Sequence, residues 1–320
     1  MTLVPFQKAD DVGDRFLALL HRHQIEPAIG SAIEDELLSL THLLEVVKNP
    51  ELAVGEERLK VLRDAAGMHD LAAKVLSTES LPEFPKCLDH LRLIAKPDPA
   101  ASIGQLGPGS VLDDTVRKMT ELYIGCFAAH CGEDLLLDSP NAAKGDNPDV
   151  MFRYREKLWA LAIKTISSRA GQTIFERISD GARQIDRKAC PADIGMVVIN
   201  AKNAIDHEAL WEREYADLDT AIAATDSELD VLMEAANQDR PQDEWDDLFV
   251  GRVVRPILLM GQSMAMNMPN DIAKALLALH YKRLPMLRAM WALTSRKKAK
   301  RPEVFRLSLP RLPKLEVVRR

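Results

Sequence analysis

The sequence has no long hydrophobic run and few cysteines. Its longest uncharged apolar stretch, residues 256–270, is interrupted by Gln262, Ser263 and Asn267, and it is shorter than the roughly 20 apolar residues that a membrane-spanning helix needs. No apolar segment with a small-residue cleavage site follows Met1, so we expect no export by a signal peptide. Only 4 cysteines occur in 320 residues, which excludes a disulfide framework and favours a reducing compartment. These absences predict a cytoplasmic protein without a membrane partner.

The sequence also lacks the signature motifs of several enzyme classes. It contains no Gly-x-Ser-x-Gly, Gly-x-Gly-x-x-Gly or His-Glu-x-x-His segment, which are typical of serine hydrolases, dinucleotide-binding enzymes and zinc peptidases. Cys126, His130 and Cys131 stand close together, but no second cysteine pair completes a zinc pattern, so we expect Cys126 in the core. With 47% hydrophobic and 28% charged residues, the chain has the composition of a globular protein.

Charge is distributed unevenly along the chain. The last 25 residues, 296–320, contain ten basic residues and two acidic ones, so this tail carries +8 although the whole chain carries −6. Residues 1–295 therefore carry −14. A basic tail of this kind can follow a phosphate backbone by counterion release, which predicts nucleic acid as a partner. A solvated end, or a segment that docks on the acidic remainder of the chain, explains the same composition.

The hydrophobic pattern divides the chain into four parts. Apolar residues recur at three- and four-residue spacing over residues 12–95, which predicts helices. Residues 96–110 are rich in proline and glycine and are typical of a linker. We therefore predict the following division: a helical N-terminal region over 1–107, an α/β core over 108–212, a helical C-terminal region over 213–295 and the basic tail over 296–320.

The central part combines helix and strand patterns. A helix is predicted from Ser110, as its N-cap, to Gly132, and a second one is predicted over residues 172–187. Short apolar or alternating segments predict strands over 135–137, 149–155, 158–164 and 194–199. The order helix, three strands, helix, strand predicts an α/β unit with a mixed sheet. Helical patterns return after Trp211, over residues 218–235, 253–266 and 272–293.

Three short segments of this central part belong together as a motif: Pro148-Asp149, Ala162-Ile163-Lys164 and Gln184. In this order, and with these predicted elements, they resemble the PD-(D/E)XK nuclease superfamily over roughly residues 110–210. The resemblance implies a restriction-endonuclease-like fold, a mixed sheet flanked by helices. It also implies a Mg²⁺-dependent phosphodiesterase that acts on DNA or RNA.

The chemistry of phosphodiester cleavage explains why these residue types occur together. The reaction needs a cation that polarises the phosphoryl oxygen, and Mg²⁺ is usually held by one or two carboxylates with water and phosphate. Asp149 can supply the first carboxylate, and Lys164 on the paired strand can orient water or neutralise developing charge. Strand side chains alternate, so Lys164 shares its face with position 162. There the family carries an acid, and this chain has Ala162.

Three other acids are candidates for the missing carboxylate. Glu121, in the first core helix, matches the position where the family often carries a supporting acid. Glu176 and Asp180 lie on the helix that follows Lys164, to which some family members have moved their second carboxylate. The predicted site therefore comprises Asp149 and Lys164 as catalytic residues, with Glu121 or Glu176 as a further metal ligand.

Two functions of different classes follow from this pattern. The first is a Mg²⁺-dependent nuclease whose metal binding is weakened by Ala162. The second is a catalytically inactive nuclease-fold protein that binds nucleic acid or a partner protein. A purely structural interpretation also stands, in which Asp149 is a turn residue, Lys164 marks an exposed strand end and Gln184 faces solvent. A further possibility is self-assembly into a homo-oligomer through the helical regions.

Overall fold

The computed structural model describes residues 11–48, 57–96, 114–138, 147–211, 218–238 and 240–263, together with residues 213, 215, 265–266 and 277–278. Within these residues the chain is an α/β protein with one five-stranded mixed sheet and helices on both sides of it. No helix in this described part combines the length and the apolar character that crossing a membrane requires.

The N-terminal part is helical, as the apolar spacing predicts. Its described residues form four α-helices and a short 3-10 turn over Phe84–Cys87: α1 (Val12–Arg22), α2 (Ala32–Lys48), α3 (Glu57–Thr78) and α4 (Leu88–Ile94). In α1 the side chains of Phe16, Leu19 and Leu20 are fully buried, whereas acidic Asp14 lies in the first turn, where the helix dipole favours negative charge. The predicted linker over 96–110 lies outside the described residues, except for Lys96.

The central part confirms the predicted order of elements: α5 (Asp114–Cys131), β1 (Glu133–Leu137), β2 (Val150–Tyr154), β3 (Lys157–Thr165), α6 (Gly171–Asp186) and β4 (Ile194–Asn200). The strands lie in the order β1-β2-β3-β4, and a fifth strand, β5 (Leu258–Met260), follows β4 at the edge of the sheet. The pairs β1–β2 and β2–β3 are antiparallel, and β4 is parallel to β3. A two-residue turn, Arg155-Glu156, joins β2 to β3 with φ values of 48° and 65°, the left-handed conformation that a tight hairpin requires.

The two faces of the sheet are covered by different helices. A Cβ atom at Gly181 in α6 would lie 2.8 Å from Cγ1 of Val197, so α6 packs closely on β4 at this point. In the parallel register Ala162 is opposite Val197, which places Ala162 and, two residues later, Lys164 on the α6 side. On the opposite face, the amide of Asn200 donates to Thr120 Oγ1 of α5 at 3.0 Å.

The C-terminal part departs from the predicted helices, because its described residues after α9 include strands. It contains α7 (His207–Trp211), α8 (Leu218–Asn237), α9 (Gln242–Asp247) and β5 (Leu258–Met260). The predicted helix over 253–266 is wrong, because residues 258–260 pair in parallel with β4 and form one edge of the sheet. The predicted helix over 272–293 lies outside the described residues except for β7 (Leu277–Ala278), which pairs with β6 (Ala265–Met266). The basic tail over 296–320 is outside them as well.

One continuous apolar core joins the N-terminal helices, the sheet and the C-terminal helices. It includes fully buried residues from each part, among them Leu91 of α4, Ile174 of α6 and Trp245 of α9. Each helix and sheet face buries its apolar side against another element, which is how layered domains are stabilised. The predicted division at 107, 212 and 295 stays a prediction.

Gly171, the first residue of α6, offers a direct test of the packing between α6 and α8. A Cβ atom there would lie 1.8 Å from the carbonyl oxygen of Ala235, so Gly171→Ala forces α8 away from α6. We expect the free energy of unfolding to fall by about 1 to 3 kcal/mol, measured by urea denaturation.

The matched control for this change is Gly13→Ala in α1. Its new methyl group would lie 3.4 Å from Leu40 Cδ2, close to an ordinary contact, and alanine favours helix by about 0.5 to 1 kcal/mol. Equal stability changes for the two variants would contradict the inferred close packing at Gly171.

Candidate active site

Asp149 is fixed at the point where three antiparallel strands begin or end. It directly precedes β2, and its carboxylate Oδ2 accepts a hydrogen bond of 2.6 Å from the backbone N–H of Ile163 in β3. Its own carbonyl oxygen accepts a hydrogen bond of 3.0 Å from the backbone N–H of Asp138, the residue after β1. The strand pairing therefore holds this carboxylate beside β3, one residue from Lys164.

The environment of Asp149 raises the pKa of its carboxyl group to about 6. Burial is the main cause, because a low-dielectric surrounding disfavours the charged form. The charge of Lys164 opposes this effect, the charge of Glu121 adds to it, and the Ile163 N–H and Lys118 lower the pKa again. Asp149 is therefore an acid that neighbouring positive charge does not fully compensate.

Lys164 is held beside Asp149 by a relay through α6. Its ammonium donates to Gln184 Oε1, and Gln184 Nε2 donates to the carbonyl of Asn147, just before Pro148-Asp149. The interpretation of Gln184 as a solvent-facing residue is wrong, because only 3% of it is exposed. Burial lowers the pKa of Lys164, and the charges of Asp149 and Asp180 oppose that change. Gln184 thus links the lysine to the segment that carries the acid.

Glu121 brings a second carboxylate to this site from α5. Its side chain is almost fully buried, and its Oε2 accepts hydrogen bonds from His90 Nε2 at 3.2 Å and from Lys118 Nζ at 2.8 Å. Lys118 Nζ also lies 3.5 Å from Asp138 Oδ2. Glu121, Lys118 and Lys164 all act electrostatically on Asp149, so these charged residues form one group around that carboxylate.

Three members of this group were not predicted from the sequence: His90, Lys118 and Asp138. Lys118 stands one helical turn before Glu121, and Asp138 directly follows β1. Helix and strand periodicity could therefore have placed both residues near the site. His90 belongs to α4, and its contact with Glu121 joins residues 31 positions apart. That contact depends on tertiary packing, which no local pattern indicates.

The other predicted acids lie on α6 and are engaged elsewhere. Glu176 is exposed, and its carboxylate accepts a hydrogen bond of 2.9 Å from Gln172 Nε2. Asp180 forms ion pairs with Arg183 at 2.6 Å and with Arg177 at 3.5 Å. The structure therefore places Asp149 beside the strand of Lys164, lets Glu121 act on Asp149 through its charge, and leaves Glu176 on the outer surface of α6. Asp180 reaches the site only through its charge, which acts on Lys164.

The available donors fit Mg²⁺ only as a minimal site. In the part of the chain that the structure describes, no group of three or more histidine, cysteine or acidic residues is arranged to hold a metal ion. Ala162, at the position of the expected acid, is fully buried. Asp149 and Glu121 remain as two carboxylates that interact through their charges. Mg²⁺ is commonly held by one or two carboxylates, with water and phosphate as the other ligands.

Comparison of the chain with protein-family models, with curated proteins and with solved structures finds no match. The chemical interpretation of the site therefore depends on the residues and contacts described above.

Proposed function

We propose that this chain is a Mg²⁺-dependent phosphodiester hydrolase that cuts DNA or RNA. The observation that carries the proposal is the placement of Asp149: the Ile163 N–H holds its carboxylate beside β3, and Lys164 of β3 and Glu121 of α5 both act on it through their charges. An acid, a second acid and a lysine are the groups that metal-assisted phosphodiester cleavage needs. The order α5-β1-β2-β3-α6-β4 agrees with the restriction-endonuclease-like fold that the PD-(D/E)XK resemblance implies, and we extend the proposal to that fold.

The two acids would hold the metal. When bound, Mg²⁺ would polarise a phosphoryl oxygen and lower the pKa of a bound water. Asp149 is suited to this role, because burial and the charge of Glu121 destabilise its ionised carboxylate, which a bound cation would stabilise. The Ile163 N–H fixes the orientation of its carboxylate. His90 does the same for Glu121 by donating to Oε2.

Lys164 would act on the substrate. Its ammonium lies on the same strand as Ile163 and is oriented by Gln184, so its position is set before substrate binds. A fixed positive charge at a partly buried site stabilises negative charge that develops on the phosphate during cleavage. The partial burial of Lys164 strengthens this interaction, because electrostatic energies rise as water is excluded.

Replacing Lys164 tests this role. Lys164→Met keeps the length of the side chain and removes the ammonium, so we expect the cleavage rate to fall by about 100- to 1000-fold. Initial rates would be measured on labelled single- and double-stranded DNA and RNA, with Mg²⁺ and with Mn²⁺. Lys157→Met is the matched control, because Lys157 is an exposed lysine at the other end of β3. Equal rates for the two variants would contradict the role of Lys164.

Nucleic-acid binding without cleavage is the second candidate function. The observation that favours it is the buried methyl group of Ala162, which leaves the site one acid short. The same assay separates the two functions. If the unmodified chain cuts none of the four substrates with either metal, the nuclease proposal fails. Retention of uncut substrate in a mobility-shift gel would then support the binding function.

A further inference from the structure

Lys118 occupies a place between two carboxylates at the edge of the proposed site. Its Nζ lies 2.8 Å from Glu121 Oε2 and 3.5 Å from Asp138 Oδ2. The side chains of Lys118 and Asp138 are each 16% exposed, and that of Glu121 is 5% exposed. An ammonium that contacts two acids from different elements in such a setting supplies the positive charge that their burial requires.

The arrangement does not depend on Lys118 to hold Glu121 in place. His90 Nε2 donates to the same oxygen of Glu121, and His90 is itself buried. The position of Asp138 is set by its backbone hydrogen bond to Asp149. The Glu121 carboxylate and the backbone of Asp138 are therefore held by contacts other than Lys118, whereas Lys118 provides the positive charge next to both carboxylates. An ammonium is a compact point charge, and it can be replaced by a metal ion that prefers oxygen ligands.

We propose that the ammonium of Lys118 fills a cation site between Glu121 and Asp138 and competes with a divalent ion for Glu121. The inference rests on the proposed function, in which Asp149 and Glu121 hold Mg²⁺. With Lys118 present, a divalent ion shares Glu121 with a fixed positive charge and is bound weakly. Without the charge of Lys118, the carboxylates of Glu121 and Asp138 are free to bind such an ion.

Metal binding by the full chain tests this inference without any substrate. Mn²⁺ serves as the probe, and its free concentration is measured by electron paramagnetic resonance during titration. Lys118→Met should bind Mn²⁺ about tenfold more tightly than the unmodified chain, or bind a further ion. Lys118→Gln, which keeps a hydrogen-bond donor for Glu121, should show the same gain. Adding Glu121→Gln to Lys118→Met should remove it.

A second buried lysine–acid pair provides the matched control. Lys74 donates to Asp70 Oδ1, and Asp70 Oδ2 accepts hydrogen bonds from Tyr123 at 2.9 Å and from Gln262 at 2.8 Å. Asp70 thus keeps neutral donors when Lys74 is replaced, and Lys74→Met should gain no Mn²⁺ binding. An equal gain of Mn²⁺ binding in Lys74→Met would overturn the inference. It would show that removing the lysine beside any buried acid has this effect.

The remaining outcomes are also decisive. Unchanged Mn²⁺ binding in both Lys118 variants would overturn the inference, and so would their failure to fold with Mn²⁺ present. Folding of either variant only with Mn²⁺ present would support it. The inference and the proposed function fail separately. Absence of cleavage by the unmodified chain rejects the nuclease, while a gain of Mn²⁺ binding in Lys118→Met still supports the cation site.

Discussion

Replacing Asp149 by alanine is expected to lower the rate of metal-dependent cleavage by about 1000-fold or more. Such a loss corresponds to roughly 4 kcal/mol of transition-state stabilisation, which is within the range that a bound metal ion supplies. Asp149 directly precedes β2, which pairs with the strand of Lys164, and its carboxylate is fixed by the Ile163 N–H. Alanine removes the carboxylate, so the remaining acid, Glu121, would have to hold the metal alone.

The matched control is Glu176→Ala, which removes a carboxylate that lies on the exposed side of α6. We expect this variant to cut as fast as the unmodified chain at saturating Mg²⁺. The Glu176→Ala variant also tests Glu176 as the alternative to Glu121, a choice that the sequence alone could not make. Cleavage by Asp149→Ala at the rate of the unmodified chain would reject the proposed site, and a large loss in Glu176→Ala would move the second ligand to α6.

Replacing Asp149 by asparagine should stabilise the fold at neutral pH. The pKa of Asp149 is raised from 3.8 to about 6, so the folded chain binds this proton more tightly than the unfolded chain. The stabilisation that this proton gives is complete below pH 3.8 and is lost as the pH rises through 6. Asparagine is neutral at every pH. The free energy of unfolding of Asp149→Asn should therefore exceed that of the unmodified chain by up to about 3 kcal/mol at pH 7.5, and the two should be nearly equal near pH 3.8.

Urea denaturation between pH 4 and pH 7.5 would measure this difference. Asp193→Asn is the matched control, because its carboxylate also accepts a backbone N–H from β3, that of Leu158 at 2.8 Å, but Asp193 is exposed. Because burial is the main cause of the expected stability gain at Asp149, we expect no comparable gain in Asp193→Asn. A stability gain in Asp149→Asn that stays constant from pH 4 to pH 7.5 would contradict the raised pKa of this acid.

Much of the sheet could be predicted from the sequence because its strands have distinct patterns. β3 and β4 are nearly continuous apolar segments, as expected for strands covered on both faces. The helix α6 has its apolar residues on one side. β5 was missed because three apolar residues, Leu258–Met260, fit a strand and a helix equally well. Their pairing with β4 is a long-range contact, which local periodicity does not encode.

The candidate site, like the sheet, could be predicted only where it depends on the order of neighbouring elements. Asp149, Lys164 and Gln184 lie on adjacent elements of one unit, so the order of those elements indicated their proximity. The sequence could not choose between Glu121 and Glu176, because that choice depends on how α5 and α6 are rotated against the sheet. Lys118 supplies a positive charge to Glu121, and His90 forms a hydrogen bond with it. The His90 contact depends on how α4 packs against α5, which the spacing of residues in the sequence does not reveal.

The hydrogen bond from the Ile163 N–H to Asp149 makes the main chain of β3 a spectroscopic reporter of the acid. An amide proton that is bound to a carboxylate resonates at a different frequency when that carboxylate gains a proton, since charge-assisted hydrogen bonds are shorter and stronger than neutral ones. The Ile163 resonance in a nuclear magnetic resonance spectrum would thus follow the charge of Asp149 directly. It would also register a cation arriving at that carboxylate, with no nucleic acid present and no side chain altered.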